Sequence, residues 1–217
     1  MQNKKNAEGK SKVNRKPERG FYDDKTIHKI IDEAQYCHVS FIQEDQPFII
    51  PTIHARLDDS LVLHGAKASR LIKQVSTGNE IAIAITILDG LVLARSVFHH
   101  SMNYRSVVIF GKGVEITDDK KKMKALKAIT DHILQGRWDD ARKPNEKELK
   151  ATSVISVKID EASAKIRTGP PKDDEDDYSL PVWAGVLPIV KLFGEPEADP
   201  VLKKGISIPD YIGRIIK

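Results

Sequence analysis

The chain has 217 residues, of which 40% are hydrophobic and 30% charged, with a net charge of +4 and a pI near 9.0. This is the profile of one large β-rich domain, or two small ones, with a substantial core. No run of 18 apolar residues occurs, so no transmembrane helix is expected, and the basic start has no apolar segment of the kind a secretory signal needs. Cys37, the single cysteine, allows no intrachain disulfide and fits a reducing cytoplasm.

The positive charge is concentrated at one end. Residues 1–20 hold Lys4, Lys5, Lys10, Lys12, Arg15, Lys16 and Arg19 against Glu8 and Glu18, a net of +5, which leaves the rest at −1. A flexible, solubilising tail is therefore expected over 1–20, with a contact to nucleic acid or an acidic partner as the alternative, on a nearly neutral body that lacks a basic face. "DDKTIHKIIDEAQ" then predicts a short amphipathic helix with Ile27, Ile30, Ile31 and Ala34 on one face. "CHVSFIQE" alternates as a strand, which makes Cys37 a small buried residue rather than a nucleophile. A turn at Asp45-Gln46 leads to "PFIIPTIHAR", where Pro51 suits an edge or bulge. A turn at "LDDS" leads to the strand "LVLHG" and then to a helix over "AKASRLIKQVSTGN".

"EIAIAITIL" and "LVLARSVF" read as strands flanking Asp89-Gly90, a strong hairpin signal. "YRSVVIFGKGVEIT" follows as a long strand in which Gly111 and Gly113 suit a bend or a close backbone approach. Residues 118–134 predict a helix with Met123, Leu126, Ile129 and Ile133 on one face. After an irregular stretch over 135–150 come the strands "TSVISVKID" and "ASAKIRTG". The acidic run Asp173–Asp177 reads as a solvated loop, and "VWAGVLPIVKLF" supplies a last strand. About eight short strands without regular crossover helices predict an antiparallel barrel of mixed α+β kind in a single domain.

Three groups of residues carry candidate chemistry. Lys67, Ser69 and Arg70 fall at a helix start, where free N–H groups and the helix dipole favour an anion; a phosphate fits, and so does a plain serine cap between surface cations. The stretch "ARSVFHHSMNYRSVV" concentrates polar groups between apolar flanks. Read as a strand, it sends His99 and His100 to opposite faces, which disfavours a shared metal. His54 and His64 share a face in one hairpin register only, and no metal site is expected. Trp183 fits the core or a stacking contact.

The blocks "LHGAKASRLIK", "LDGLVLARSVFHHSMNYRSVVIFGKG", "IDEASAKIRTGPPKDDEDD" and "LPVWAGVLP" resemble the flavin-nucleotide-binding branch of the pyridoxamine 5'-phosphate oxidase-like split barrels, near the nitroimidazole-resistance (Nim) proteins. The resemblance spans about 21–193, leaving the 1–20 tail and a C-terminal extension, 194–217, outside it. It implies a six-stranded antiparallel split barrel with flanking helices, binding FMN at the interface of a cytoplasmic homodimer. It further implies flavin contacts from His64, Lys67, Ser69, Arg70, His99, His100, Ser101, Asn103, Tyr104, Arg105, Ser106 and Trp183. Arg105 is the candidate donor to the flavin's N1–C2=O edge.

An Arg-rich block for a substrate phosphate is missing from "PVWAGVLPIVKLF", which argues against a true pyridoxamine phosphate oxidase. The function expected is flavin-dependent oxidation or reduction of a small molecule. The alternatives are a non-catalytic flavin carrier or sensor, or a related barrel holding a deazaflavin or a haem, the latter with His64 or His54 as axial ligand.

Overall fold

Apolar and polar side chains alternate in several segments, and the computed structural model, which describes residues 9–216, places such segments in a set of nine antiparallel strands. They are β1 (Gly20–Phe21), β2 (Tyr36–Gln43), β3 (Gln46–Leu57), β4 (Ser60–Ala66), β5 (Glu80–Leu93), β6 (Ser101–Glu115), β7 (Thr152–Lys158), β8 (Glu161–Arg167) and β9 (Gly185–Pro188). β6, β7, β4, β3, β2 and β5 pair in that order, and β5 returns to β6. Six strands thus close into a barrel, while β1 and β8 continue outward from β6 and β9 from β5.

The barrel splits along β6, whose Tyr104–Phe110 segment pairs with β8 and whose Gly113–Glu115 segment pairs with β7. Glycine permits this change of partner. A Cβ on Gly113 would lie 2.4 Å from the Val75 carbonyl oxygen and 2.8 Å from Ile155 Cγ2, so only a bare backbone fits there.

Inward-facing Leu61, Leu63, Ile83, Ile85, Val107, Ile109 and Ile155 fill the barrel. Helix α1 (Asp24–Glu33) adds Ile27, Ile30 and Ile31 to that core, and starts where Asp23 accepts from Thr26 N at 2.9 Å. Helix α3 (Asp119–Ile133) covers a second cluster of Ala55, Val62 and Val154 with Ala125 and Ile129. Its buried stripe is rotated from the expected one: Lys122 is buried and Ile133 exposed. The Lys122 ammonium donates to Leu149 O at 2.5 Å, which lets the alkyl stem lie inward. Two short helices, α4 (Arg137–Asp140) and α5 (Glu146–Ala151), occupy the 135–150 stretch.

No hairpin turn forms at Asp89-Gly90. β5 runs straight through, and the register changes from Leu88 opposite Tyr104 to Gly90 opposite Asn103, which leaves Asp89 as a bulge. The turn comes instead at 94–100, because Asp89 is held by Arg105 across the pair and Gly90 lies under β9.

The described part of the expected flexible tail is docked. Lys10 pairs with Glu80, Val13 N donates to the Tyr22 hydroxyl at 2.9 Å, Ser11 is buried, and β1 adds to β8. Residues 1–8 lie outside the described residues. The C-terminal extension has little regular structure until α6 (Asp210–Gly213), where the Tyr211 hydroxyl donates to Asp140 at 2.6 Å. No helix among the described residues is long and apolar enough to cross a membrane.

Candidate functional site

β4 ends at Ala66 and the chain turns at once into helix α2 (Arg70–Val75), with Ser69 as its N-cap. Gly65 makes this tight turn possible, since a Cβ there would sit 2.9 Å from Ile72 Cγ1. Ser69 Oγ accepts from Ile72 N at 3.3 Å, so the capping role is filled while the hydroxyl proton remains to donate. The Arg70 guanidinium lies 4.6 Å over the Phe48 ring, which orients it without using its N–H donors. Lys67 is exposed and has no side-chain partner among the described residues. The structure therefore brings Lys67, Ser69 and Arg70 to one rim with donors to spare. His64, four residues before the Ala68 turn residue, is half-buried and its Nδ1 has no partner; burial lowers its pKa.

A cavity of about 650 Å³ opens on the outer side of the sheet, between the end of α1, β5 and residues 189–191. Arg105 forms its charged wall. Its Nε and Nη2 donate to both Asp89 oxygens at 2.9 and 2.7 Å, and its Nη2 and Nη1 to Glu33 at 2.7 Å and closer. The hydrogen bonds to Asp89 and Glu33 push the guanidinium's pKa upward, and the bond from Arg105 holds the Glu33 carboxyl below its usual range. Four of the guanidinium's five N–H groups are thus committed to two carboxylates, which leaves one Nη1–H for any further acceptor.

The remaining candidates sit at the other end of the β5–β6 pair. His99 and His100 belong to a 3-10 turn, Val97–His99, and its cap, not to a strand. The Asp173 side chain is buried and fixes this tip: Oδ1 accepts from Arg95 N and Ser96 N at 2.9 and 3.1 Å, and Oδ2 from Arg95 Nη1 at 3.2 Å. Burial pushes the Asp173 pKa up, but these donors outweigh it and hold the carboxyl below its usual range. The first residue of the acidic run is thus an anchor, and only its followers form the expected solvated loop.

Asn103 is also structural, donating to Gly169 O at 3.2 Å and accepting from Arg167. Ser106 donates to Lys165 O at 3.3 Å, and Tyr104 pairs with Arg167 in the β6–β8 ladder. Ser101 opens β6 and is exposed. Trp183 is 68% exposed, against Gly185, and takes no part in the core.

His54 is fully buried with Nε2 on Ile31 O at 3.0 Å, and His132 Nε2 bonds Ala34 O at 2.7 Å; both carbonyls belong to the C-terminal end of α1. The two rings lie 4.9 Å apart. A ring so enclosed cannot reach a haem iron, which removes His54 from the sequence-based ligand set. His54 pairs with Leu63 across the Asp58-Asp59 turn, so His54 and His64 leave on opposite faces. Burial pushes the Cys37 thiol up to about 12, leaving it protonated and inert.

The rim around Arg70 and the tip around His100 do not share a site within one chain. α2 meets β6 at Gly113, and His100 precedes β6 by one residue, a separation of about 43 Å along the strand at roughly 3.3 Å per residue. The Glu33–Arg105–Asp89 group and the two-histidine latch on α1 join residues 72 and 78 positions apart, and no local spacing announces such contacts.

Residues 23–166 match the family model described as pyridoxamine 5'-phosphate oxidase. Among solved structures, the chain is similar to the flavocytochrome Anf3 from Azotobacter vinelandii, with 38% identity, 94% of this chain and 95% of that one covered, and a TM-score of 0.89. It is similar to the FAD- and haem-binding protein from Mycobacterium smegmatis, with 30% identity, 91% and 97% covered, and a TM-score of 0.87. A putative 5-nitroimidazole antibiotic resistance protein from Bacteroides thetaiotaomicron shares the fold, at 24% identity over 68% of this chain and 86% of that one, with a TM-score of 0.58. No curated protein matches the sequence. The closed barrel, the split along β6 and the extent of these matches lead to one statement: the chain belongs to the pyridoxamine 5'-phosphate oxidase family.

Proposed function

We propose that this chain is a redox protein that binds a flavin nucleotide and, with it, a haem. The observation that carries the reading is the similarity over more than nine-tenths of the chain to a flavocytochrome and to an FAD- and haem-binding protein. Bound flavin supplies hydride or electron transfer to a small molecule, and haem a one-electron centre.

The chain's own part is to hold and orient these groups. Lys67, Ser69 and Arg70 offer an ammonium, a hydroxyl proton and a guanidinium to a flavin phosphate. This rim suits FMN, the cofactor expected from sequence, and equally the pyrophosphate of FAD, the flavin of the Mycobacterium smegmatis protein. Ser101, His99 and Trp183 at the far tip would meet the same flavin only from a second copy, given the length of β6. A homodimer is supported by the outer face of β2 and β3, where exposed Tyr36 stands beside Ile53, and Ile42 and Ile49 are 66% and 67% exposed.

The test is the visible spectrum of the purified chain, with chromatography of whatever chromophore is released. Released FMN or FAD identifies the flavin, and a Soret band reports the haem. Lys67→Glu with Arg70→Glu should lower flavin affinity by about 10- to 100-fold, the loss of a charge-assisted bond of about 1.5–3 kcal/mol. A colourless chain that takes up no added flavin overturns the proposal. Sustained turnover with reduced nicotinamide and an electron acceptor separates an oxidoreductase from a flavin carrier or sensor.

A further inference from the structure

We infer that His100 is the axial ligand of the haem, above a shelf formed by Leu91, Met102 and Leu187; this rests on the haem reading proposed above. A histidine that binds haem iron needs an accessible nitrogen lone pair, a partner that fixes the other nitrogen as N–H, and apolar surface for the porphyrin. The histidines of this chain can be sorted on those three counts.

His54 and His132 have spent Nε2 on the end of α1 and face each other inside the protein. His64 has no partner on Nδ1 to fix its tautomer and stands at the base of the Lys67–Arg70 rim proposed for the flavin, and His99 Nε2 is turned toward the Asp174 carboxylate at 3.3 Å. His28, on α1, has no hydrogen bond that would fix its tautomer. His38 is exposed, but its ring has only an edge contact with Tyr36 and lies on the face proposed to meet a second copy.

His100 meets the three requirements together. Its Nδ1 lies 3.0 Å from Ser96 O, and because a carbonyl only accepts, Nδ1 carries the proton and Nε2 the lone pair. Nε2 has no partner among the described residues, and the ring is exposed. Ser96 is itself held by buried Asp173, so the oxygen that sets the tautomer belongs to a fixed turn. Past His100, whose ψ is 142°, the chain enters β6 at Ser101, so His100 and Met102 leave on the same face.

The register then places Leu91 opposite both Met102 and Leu187, one apolar row across β6, β5 and β9. Met102, Leu91 and Leu187 are 49%, 41% and 55% exposed. Three strands span about 10 Å, and Phe98, 88% exposed, stands at the tip of the same loop. A flat apolar macrocycle fits such a row better than a small polar ligand does.

The experiment titrates haemin into the full-length, flavin-loaded chain and records absorption and ferric EPR spectra. The variants are His100→Gly, His100→Met and His38→Ala. The expected result is stoichiometric uptake by the parent and by His38→Ala, and affinity at least about tenfold weaker in His100→Gly. Added imidazole restores uptake by His100→Gly, which a merely structural role would not allow. His100→Met keeps the haem with a changed EPR signature. Retained flavin and circular dichroism show that each variant folds. If the parent takes up haem and His100→Gly binds it equally well with the same spectrum, the assignment falls while the haem reading stands. Loss in His100→Gly without rescue by imidazole, together with an unchanged signature in His100→Met, also overturns it. If the parent takes up no haem, both readings fail.

Discussion

His54 gives this protein a dependence on acid that follows from its burial. The ring is fully buried between α1, α3 and β3, and burial drops its pKa from 6.5 to about 4, opposed by the bond to Ile31 O and lowered a little further by His132 facing it. A folded state that takes up the proton less readily than the unfolded chain loses stability as pH falls. The contribution is fully present above about pH 6.5 and is lost progressively as the pH falls to about 4. At 1.36 kcal/mol per pH unit, the loss is about 2 kcal/mol by pH 5 and approaches about 3.4 kcal/mol below pH 4. The variant that isolates this is His54→Gln, whose carboxamide nitrogen still donates to Ile31 O and does not titrate. Urea unfolding of both proteins from pH 7.5 to 4.5 should show the stability gap between them changing by about 2.5 kcal/mol in favour of the variant at the acid end. A gap constant to within about 0.5 kcal/mol, the usual error of additivity, would refute the reasoning.

Other perturbations test the remaining structural assignments. Gly113→Ala forces a methyl to within 2.4 Å of the Val75 carbonyl and should destabilise by about 1–3 kcal/mol in thermal unfolding. Arg105→Ala leaves Glu33 and Asp89 facing without a cation; with both partly exposed, the loss in urea is about 1 kcal/mol, and the flavin reduction potential stays unchanged because the guanidinium is committed elsewhere. Asp173→Ala orphans the Arg95 and Ser96 amides, so hydrogen exchange at both should quicken by at least about tenfold. Asp118→Ala removes the cap of α3 and should cost about 1 kcal/mol, read by circular dichroism on heating.

Local periodicity carried much of the fold. Strict alternation in 36–43 and 80–88 can satisfy only one buried face of an antiparallel sheet, and Ile27, Ile30 and Ile31 can be buried together only on a helix. The serine and cations at 67–70 were legible for the same reason: a helix start is defined by consecutive residues, and its free N–H groups come with it. Gly113 was readable as a close approach because nothing else excuses a glycine in the middle of a long strand.

What the sequence alone could not decide was every choice made by residues far apart along the chain. Asp89-Gly90 has the composition of a hairpin turn, yet Arg105 across the ladder and β9 along the edge convert it to a bulge, moving the turn to 94–100 and with it the position of His100. Lys122 displaced the expected stripe of α3 because a carbonyl on another helix receives its ammonium. Asp173 looked like one of five solvated acids, and only the fold brought two backbone amides and an arginine to it. Most secondary structure depends on neighbours within a turn or two, so the sequence by itself determined most of it; the turn at 94–100 and the site geometry depend on which polar groups find partners once the barrel closes, and that is settled only by tertiary structure.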